Sequence, residues 1–213
     1  MAVAHERRQD KREILIEKAL EAIAELGPSG VHPATLTEEL DYSKALVSYH
    51  FGDREGLIAE AMALGYERYV DELWRAADLG GESAMDRLMA WISRQVDWSI
   101  ENPGLAAALN FPRFAAGLTE EESAEEIERM GRAGYRNFLN LSSLVVAARL
   151  ELTGKSDGPE VARAISGVVG FLTLGMSVWY AGEHLPSRTI EGRPTVEDAK
   201  SYVRSVLISM LSR

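Results

Sequence analysis

Hydrogen-bond donors are concentrated in a short stretch of this chain, between residues 43 and 54. A hydroxyl, an ammonium group, a phenol and an imidazole stand at Ser43, Lys44, Tyr49 and His50. Such groups donate to phosphate oxygens and to base edges in duplex DNA. We predict direct DNA contacts from Lys44, Ser48, Tyr49 and His50. Positions near phosphates are predicted for Thr35, Thr37, Ser43 and Arg54. Contacts with base methyl groups are predicted for Ala45 and Leu46.

Two short helices are predicted to position these donors. Residues 33–40 indicate the first helix, with Pro33 suited to its opening position. Residues 43–51 indicate the second, and Ser43 is predicted to be its N-cap. Only two residues separate the helices, so the pair predicts a helix-turn-helix whose second helix can enter a DNA major groove. Asp53 is predicted to cap the helix that follows.

This stretch resembles the signature of the TetR (tetracycline repressor) family of bacterial regulators. The resemblance covers residues 11–57 and is carried by Ser43, Lys44, Tyr49, His50, Phe51, Arg54, Glu55 and Leu57. The chain departs from the family pattern at three places. Asp41 stands in place of the turn glycine, Tyr42 in place of a valine, and Ser48 in place of a tyrosine that here comes one residue later.

Helical periodicity continues through the rest of the chain, and neither a strand pattern nor an internal repeat appears. We therefore predict an all-α fold of about nine helices. A DNA-binding head is predicted for residues 1–53, and a larger ligand-binding and dimerisation bundle for residues 54–213. Besides the two short helices, the predicted helices are residues 8–26, 54–77, 84–100, 105–116, 119–152, 159–183 and a last one from Pro194 or Thr195 to 211.

Composition and charge limit the class of protein. The 213 residues include no cysteine, so disulfides and thiolate metal sites are excluded. The polar N-terminus lacks the apolar core of a signal peptide, which predicts a cytoplasmic protein. The net charge is −10, and residues 1–55 carry seven Lys and Arg against eleven Asp and Glu. This acidity argues against a general nucleic-acid coat and counts against DNA binding by the head unless basic residues face the phosphates.

The two last predicted helices carry more apolar surface than one small core can cover. No charged residue occurs between Ile165 and Ala181. A membrane span is one interpretation, but spans need about 20 apolar residues. Burial against a second copy of the chain is the interpretation we favour, because two helices from each subunit can close a four-helix bundle. The sequence therefore predicts a homodimer formed through its last two helices, and no membrane contact.

The sequence offers no catalytic constellation. It has only four histidines and no Glu-x-x-His pair. Its one Gly-x-Ser-x-Gly run, residues 154–158, follows no predicted strand. We predict no enzyme activity, no metal site and no cofactor.

The resembled family encloses a ligand cavity in its helical body, and small-molecule pockets combine apolar walls with a few polar groups. The resemblance therefore implies a small-molecule site in the predicted helices between residues 84 and 183. Its predicted apolar lining is Trp91, Trp98, Phe111, Phe114, Phe138 and Met176, and its predicted polar groups are Gln95, Asn110, Arg113, Asn137 and Thr173.

Together these features predict a homodimeric repressor that binds a palindromic operator in double-stranded DNA and is released by a small molecule. The alternative is a helical small-molecule-binding protein whose head no longer binds DNA. The acidic head and Ser48 at the family's tyrosine position motivate that alternative.

Overall fold

The computed structural model describes residues 2–110, 123–155, 158–181 and 194–212. Within these ranges the chain forms nine α-helices and a single 3-10 turn at Pro28–Gly30, and no strand. The helices are α1 (Ala2–Leu26), α2 (Pro33–Glu39), α3 (Ala45–Phe51), α4 (Arg54–Leu79), α5 (Ala84–Glu101), α6 (Pro103–Asn110), α7 (Ala124–Thr153), α8 (Pro159–Ala181) and α9 (Val196–Leu211). The predicted all-α class is confirmed.

Two compact units divide the chain. The first comprises Met1–Arg68 and Asn102–Arg132, and the second comprises Tyr69–Glu101 and Ala133–Arg213. Helices α4 and α7 each contribute residues to both units. The functional boundary predicted after residue 53 stays a prediction.

The first unit is built on α1, whose buried face includes Leu15, Ala19 and Ile23. This helix packs against α2 and, closely, against α6. The approach depends on two glycines. A Cβ atom on Gly104 would lie 2.3 Å from both the Gly27 nitrogen and the Ile23 carbonyl oxygen, and Gly27 has φ +73°. Here α6 therefore meets the backbone of α1 directly.

The second unit has one apolar core shared by α4, α5, α7, α8 and α9. Leu88 and Ile92 of α5, Val145 of α7, Val169 of α8 and Leu207 of α9 are fully buried in it. Ion pairs lie around this core. Lys200 of α9 is mostly buried, and its Nζ lies 2.8 Å from both Asp97 and Glu197.

Side chains cap three helix starts. Asp53 accepts from the Gly56 N–H at 2.8 Å, as predicted. Ser83 accepts from the Asp86 N–H at 3.0 Å, and Thr195 forms a capping box with Asp198. The predicted cap at Ser43 is wrong. Helix α3 begins at Ala45 behind Lys44, because the first turn is closed by a bond from the Leu46 N–H to the Ser43 carbonyl, at 2.9 Å.

Some predicted boundaries also change. Helix α1 begins at Ala2 rather than Arg8, and α6 begins at Pro103 rather than Leu105. The predicted ends at 116 and 183, and the predicted start at 119, lie outside the described residues.

Asp41 ends α2 in an uncommon backbone conformation, with φ +53°. The Tyr42 N–H donates to the Thr37 carbonyl at 2.7 Å, and the Asp41 N–H donates to the Glu38 carbonyl at 3.1 Å. These two bonds form a Schellman motif, whose left-handed position usually holds glycine. The family's turn glycine corresponds to this position.

Replacing Asp41 with glycine is expected to stabilise the protein by about 0.5 kcal/mol. Glycine relieves the strain of the left-handed conformation, which costs other residues about 1 kcal/mol or more. Part of this gain is offset because glycine raises the conformational entropy of the unfolded chain. Urea denaturation of Asp41→Gly and of Asp41→Ala tests this. We expect the alanine variant to be less stable than the glycine variant, and equal midpoints would contradict the expectation.

Candidate nucleic-acid interface

Helix α3 presents one polar face to solvent. Ser43, Lys44, Ala45, Ser48 and Tyr49 are exposed, and Tyr49 is 60% accessible. We call these five residues the α3 surface. On the opposite side, Val47 is buried. The spacing of three and four residues on a helix brings these side chains to one face, so most of the predicted DNA contacts share one surface. Two others, Leu46 and His50, are half-buried at its edge.

Basic residues of α1 hold both ends of α3. The Lys11 ammonium lies 4.6 Å from the centre of the Tyr42 ring, just before α3. The Arg12 guanidinium lies 5.2 Å from the Phe51 ring, at the last residue of α3. Cation–π contacts of this kind are worth about 0.5–1 kcal/mol at exposed sites. Tyr42, a departure from the family pattern, thus supplies a ring for a neighbouring cation.

Two residues predicted to lie near phosphates instead donate hydrogen bonds to backbone carbonyls within the first unit. Thr37 is fully buried, and its hydroxyl donates to the carbonyls of Pro33 and Ala34 at 2.8 and 3.1 Å. Arg54 donates to the carbonyls of Val31 and Pro28 at 2.8 and 2.6 Å. Arg54 therefore ties the start of α4 to the segment between α1 and α2. Thr35 is exposed at the start of α2.

The α3 surface has acidic neighbours. Glu38, Glu39 and Asp41 are all exposed on α2 and the turn that follows it. Lys44 is the single basic residue among the five members of the α3 surface. The phosphate attraction available to this surface therefore comes from a small number of cations, with Lys11 and Arg12 of α1 close to the ends of the helix.

The predicted ligand-binding residues are distributed over both units. Trp91, Trp98, Gln95 and Thr173 are buried in the second unit. Phe138 and Met176 in that unit are half-buried, whereas Asn110 belongs to the first unit and is exposed. Phe111, Arg113 and Phe114 lie outside the described residues. The set therefore stays a prediction.

Aromatic pairs organise the second unit near these residues. Rings of Tyr69 and Trp98 have centres 4.4 Å apart, and those of Trp74 and Trp91 lie 6.4 Å apart. The Trp74 indole N–H donates to the Asn137 side-chain oxygen at 2.8 Å. The Thr173 hydroxyl donates to the Val169 carbonyl of its own helix at 2.7 Å. Asn137 and Thr173 thus make hydrogen bonds within the protein.

Helices α8 and α9 expose a broad apolar surface. Phe171 is 78% exposed and Tyr202 is 70% exposed. The larger set, which we call the α8–α9 apolar surface, consists of Val161, Val168, Phe171, Val178, Trp179, Tyr202, Val206 and Ile208. A groove of about 440 Å³ runs along α9, lined by Tyr202, Ser205, Val206, Ser209 and Met210. None of the predicted ligand-binding residues lines it.

The segment Pro159–Tyr180 of α8 also has the length and composition of a membrane span, and it is the only such helix in the described ranges. Just 28% of its most apolar window is buried within the chain. The described residues contain no group of three or more His, Asp or Glu side chains placed to hold a metal ion.

Comparisons with known proteins identify relatives named as HTH-type transcriptional regulators. No family model matches the chain. The HTH-type transcriptional regulator BetI of Stenotrophomonas maltophilia (strain R551-3) is 30% identical over 132 residues, which cover 62% of this chain and 65% of that protein. The BetI of Burkholderia mallei (strain NCTC 10229) is 23% identical over 200 residues, which cover 94% of this chain and 95% of the relative.

Solved structures share the fold over nearly the whole chain. A protein of unknown function from Rhodococcus sp. RHA1 is 21% identical with a TM-score of 0.74, covering 95% of each chain. A structure described as a TetR-family transcriptional regulator from Rhodococcus sp. is 22% identical with a TM-score of 0.60, covering 96% of this chain and 100% of that one. AibR, solved with isovaleryl coenzyme A and operator DNA, is 16% identical with a TM-score of 0.62, covering 92% and 97%.

The sequence signature, the all-α fold and the relatives named as HTH-type regulators agree with one another. The chain is therefore similar in sequence to HTH-type transcriptional regulators, and it shares its fold with a structure described as a TetR-family regulator.

Proposed function

We propose that this regulator is a homodimeric repressor that binds a palindromic operator and releases it when a small molecule binds its helical body. The observation that carries DNA binding is the α3 surface, where Lys44, Ser48 and Tyr49 stand exposed on one face of a helix. A dimer presents two such helices to successive half-sites of one DNA face. Residues 1–53 are the proposed DNA-binding part, and residues 54–213 the proposed ligand-binding and dimerisation part.

The α8–α9 apolar surface supports the dimer. Monomeric soluble proteins rarely leave large contiguous apolar patches exposed. A second copy of the same two helices would cover this surface in a four-helix arrangement. We propose this in preference to a membrane span, because α8 includes Ser166, Thr173 and Ser177, all buried on one side of the helix.

The small molecule is supported by the buried aromatic and polar residues of the second unit and by the relatives. AibR was solved with an acyl-coenzyme A and with operator DNA. A ligand of this chain acts by favouring the conformation that binds the operator less well, and its effect cannot exceed its preference for that conformation. We further propose a cytoplasmic protein without enzyme activity.

Selecting sites from random duplex DNA with the full-length protein tests the proposal. We expect an enriched palindrome and an affinity that falls steeply with salt, since each phosphate contact adds about −0.9 to the slope of log K against log salt. Lys44→Ala is expected to reduce that slope by about 1. Lys155→Ala, an exposed lysine after α7, is the matched control and is expected to leave the slope unchanged.

The alternative, a small-molecule-binding protein without DNA binding, is favoured by the exposed acids Glu38, Glu39 and Asp41 beside the α3 surface. The same selection decides between them. Failure to enrich any site at 50 mM salt, from a protein that is folded and dimeric, would establish the alternative. An enriched site whose affinity does not depend on salt would also contradict our assignment of the α3 surface.

A further inference from the structure

A chain of charged side chains joins three helices of the first unit. Arg12 of α1 pairs with one carboxylate oxygen of Glu60 on α4. The other oxygen of Glu60 lies 3.0 Å from Nη1 of Arg129 on α7. Arg129 is also held by Glu67 of α4, with distances of 3.2 Å from Nε and 2.8 Å from Nη2. We call these four residues the Glu60 network. Glu60 is the member that both arginines share.

The Glu60 network is partly shielded from water. The Glu60 side chain is only 18% exposed, and that of Arg129 is 25% exposed. Hydrogen bonds that Arg129 donates to Glu67, opposed by partial burial, raise the pKa of Arg129 above its usual value, so this residue stays charged. Charged groups in such surroundings interact more strongly than fully exposed pairs. Removing one partner destabilises the folded protein, because the other charge is left without its partner. The positions of Arg12 and Arg129 are therefore coupled through one carboxylate.

The network ends at the DNA-facing part of the molecule. The guanidinium of Arg12, besides pairing with Glu60, lies 5.2 Å from the centre of the Phe51 ring. Phe51 is the last residue of α3, directly after Tyr49 and His50. A continuous set of contacts thus runs from Arg129 through Glu60 and Arg12 to Phe51. All of them lie within the first unit.

We propose that Glu60 is a positioning residue through which α7 sets the orientation of α3. The inference rests on the proposed function, since the orientation of α3 matters only if α3 binds an operator. A displacement of the N-terminal part of α7 relative to α4 changes how Glu60 is shared between the two arginines. Arg12 and the Phe51 ring then move, and the orientation of the α3 surface relative to DNA changes. Glu60 and Arg129 act through Arg12 and need not touch DNA themselves.

A double-mutant cycle on operator affinity tests the route. The protein is used full length with a site selected from random DNA, and affinity is measured by fluorescence anisotropy. Arg129→Gln is expected to weaken binding about threefold, the size expected for losing a partly exposed ion pair. In a Glu60→Gln background the same substitution is expected to have no further effect. An unchanged affinity for Arg129→Gln, or the same loss in both backgrounds, would overturn the proposal.

Two controls separate this route from a general loosening of the helices. Arg132→Gln removes an exposed arginine of α7 that pairs within its own helix with Glu128. Arg68→Gln removes a different pair between α4 and α1, made with Glu17. Both are expected to keep the wild-type affinity. A threefold loss in Arg68→Gln would show that any contact between α1 and α4 suffices, and the assignment to Glu60 would fail.

A second readout does not depend on DNA. Ring proton shifts of Phe51, measured by NMR with labelled phenylalanine, are expected to change in Arg129→Gln and to stay fixed in Arg132→Gln. If the wild-type protein selects no DNA site, the proposed function fails, and the ring shifts still decide whether Arg129 and Phe51 are coupled. Unchanged Phe51 shifts in Arg129→Gln would then refute the coupling as well.

Discussion

Replacing Phe171 with aspartate is expected to convert the proposed dimer to a monomer and to abolish the proposed operator binding. Phe171 is 78% exposed on α8 and lies in the α8–α9 apolar surface. A carboxylate brought into an apolar interface loses its hydration without gaining a partner, which costs several kcal/mol. The two half-sites would then be bound independently, and the gain from a linked pair of binding events would be lost. Sedimentation velocity at micromolar concentration measures the first effect, and gel-shift titration measures the second.

The matched control for this substitution is Leu79→Asp. Leu79 is 82% exposed at the end of α4, outside the α8–α9 apolar surface. It is expected to leave both the dimer and operator affinity intact, because it introduces the same charge at a site that stays hydrated. A wild-type protein that sediments as a monomer, or a Phe171→Asp variant that remains dimeric, would refute the proposed interface.

Replacing Gly104 with alanine is expected to destabilise the protein by about 2–3 kcal/mol. The added methyl group would lie 2.3 Å from backbone atoms of Gly27 and Ile23, which cannot move aside as a flexible side chain would. The contact between α1 and α6 must therefore open, and overpacking of this kind costs about 1–3 kcal/mol even where side chains can adjust. Urea denaturation monitored by far-ultraviolet circular dichroism measures the loss.

The same substitution at Gly131 is expected to have the opposite sign. Gly131 is exposed in the middle of α7, and a Cβ atom there would meet no other atom within 4 Å. Alanine is favoured over glycine in a helix interior by about 1 kcal/mol, so Gly131→Ala should be more stable than wild type. If Gly104→Ala and Gly131→Ala shift the midpoint equally, the close approach of α6 to α1 is not as described.

Local sequence signals predicted much of the fold because their physical causes are local. Asp53 caps α4 as predicted, and Ser83 and Thr195 cap later helices in the same way, since the bond reaches only three residues ahead. The cap predicted at Ser43 is one residue too early, because Lys44 is the N-cap of α3. The Ser43 carbonyl closes the first turn of α3, while the Ser43 hydroxyl lies a long 3.4 Å from the Ala45 nitrogen. Which of two adjacent residues begins a helix depends on the preceding turn, and that turn contains the positive φ of Asp41.

The candidate DNA-binding surface was predictable where helical periodicity decides exposure. Val47 is buried and Lys44, Ser48 and Tyr49 are exposed, as one amphipathic turn requires. The environment of Arg54 was not predictable, because its acceptors are backbone carbonyls more than twenty residues earlier in the chain. The same holds for the contacts of α1 with Tyr42 and Phe51. Long-range partners of this kind leave no periodic trace in the sequence.

The predicted ligand-binding set shows the limit of composition as a guide. Aromatic and polar residues were grouped because they occur on consecutive helices, yet Thr173 and Asn137 each make a hydrogen bond inside the second unit. A buried polar group usually has a partner, so its presence on an apolar helix predicts a satisfied hydrogen bond as readily as a ligand contact. A cavity depends on the relative placement of whole helices, which composition does not determine.

The exposed acids beside the α3 surface bear on how such a regulator finds its site. Attraction to phosphate supplies most of the affinity for random sequence, and Glu38, Glu39 and Asp41 weaken that attraction without removing the base contacts available to Tyr49 and Ser48. If the α3 surface binds an operator as proposed, we expect the protein to dwell only briefly on other DNA sequences. The acidic turn would then improve the ratio of operator affinity to non-specific affinity rather than the operator affinity itself.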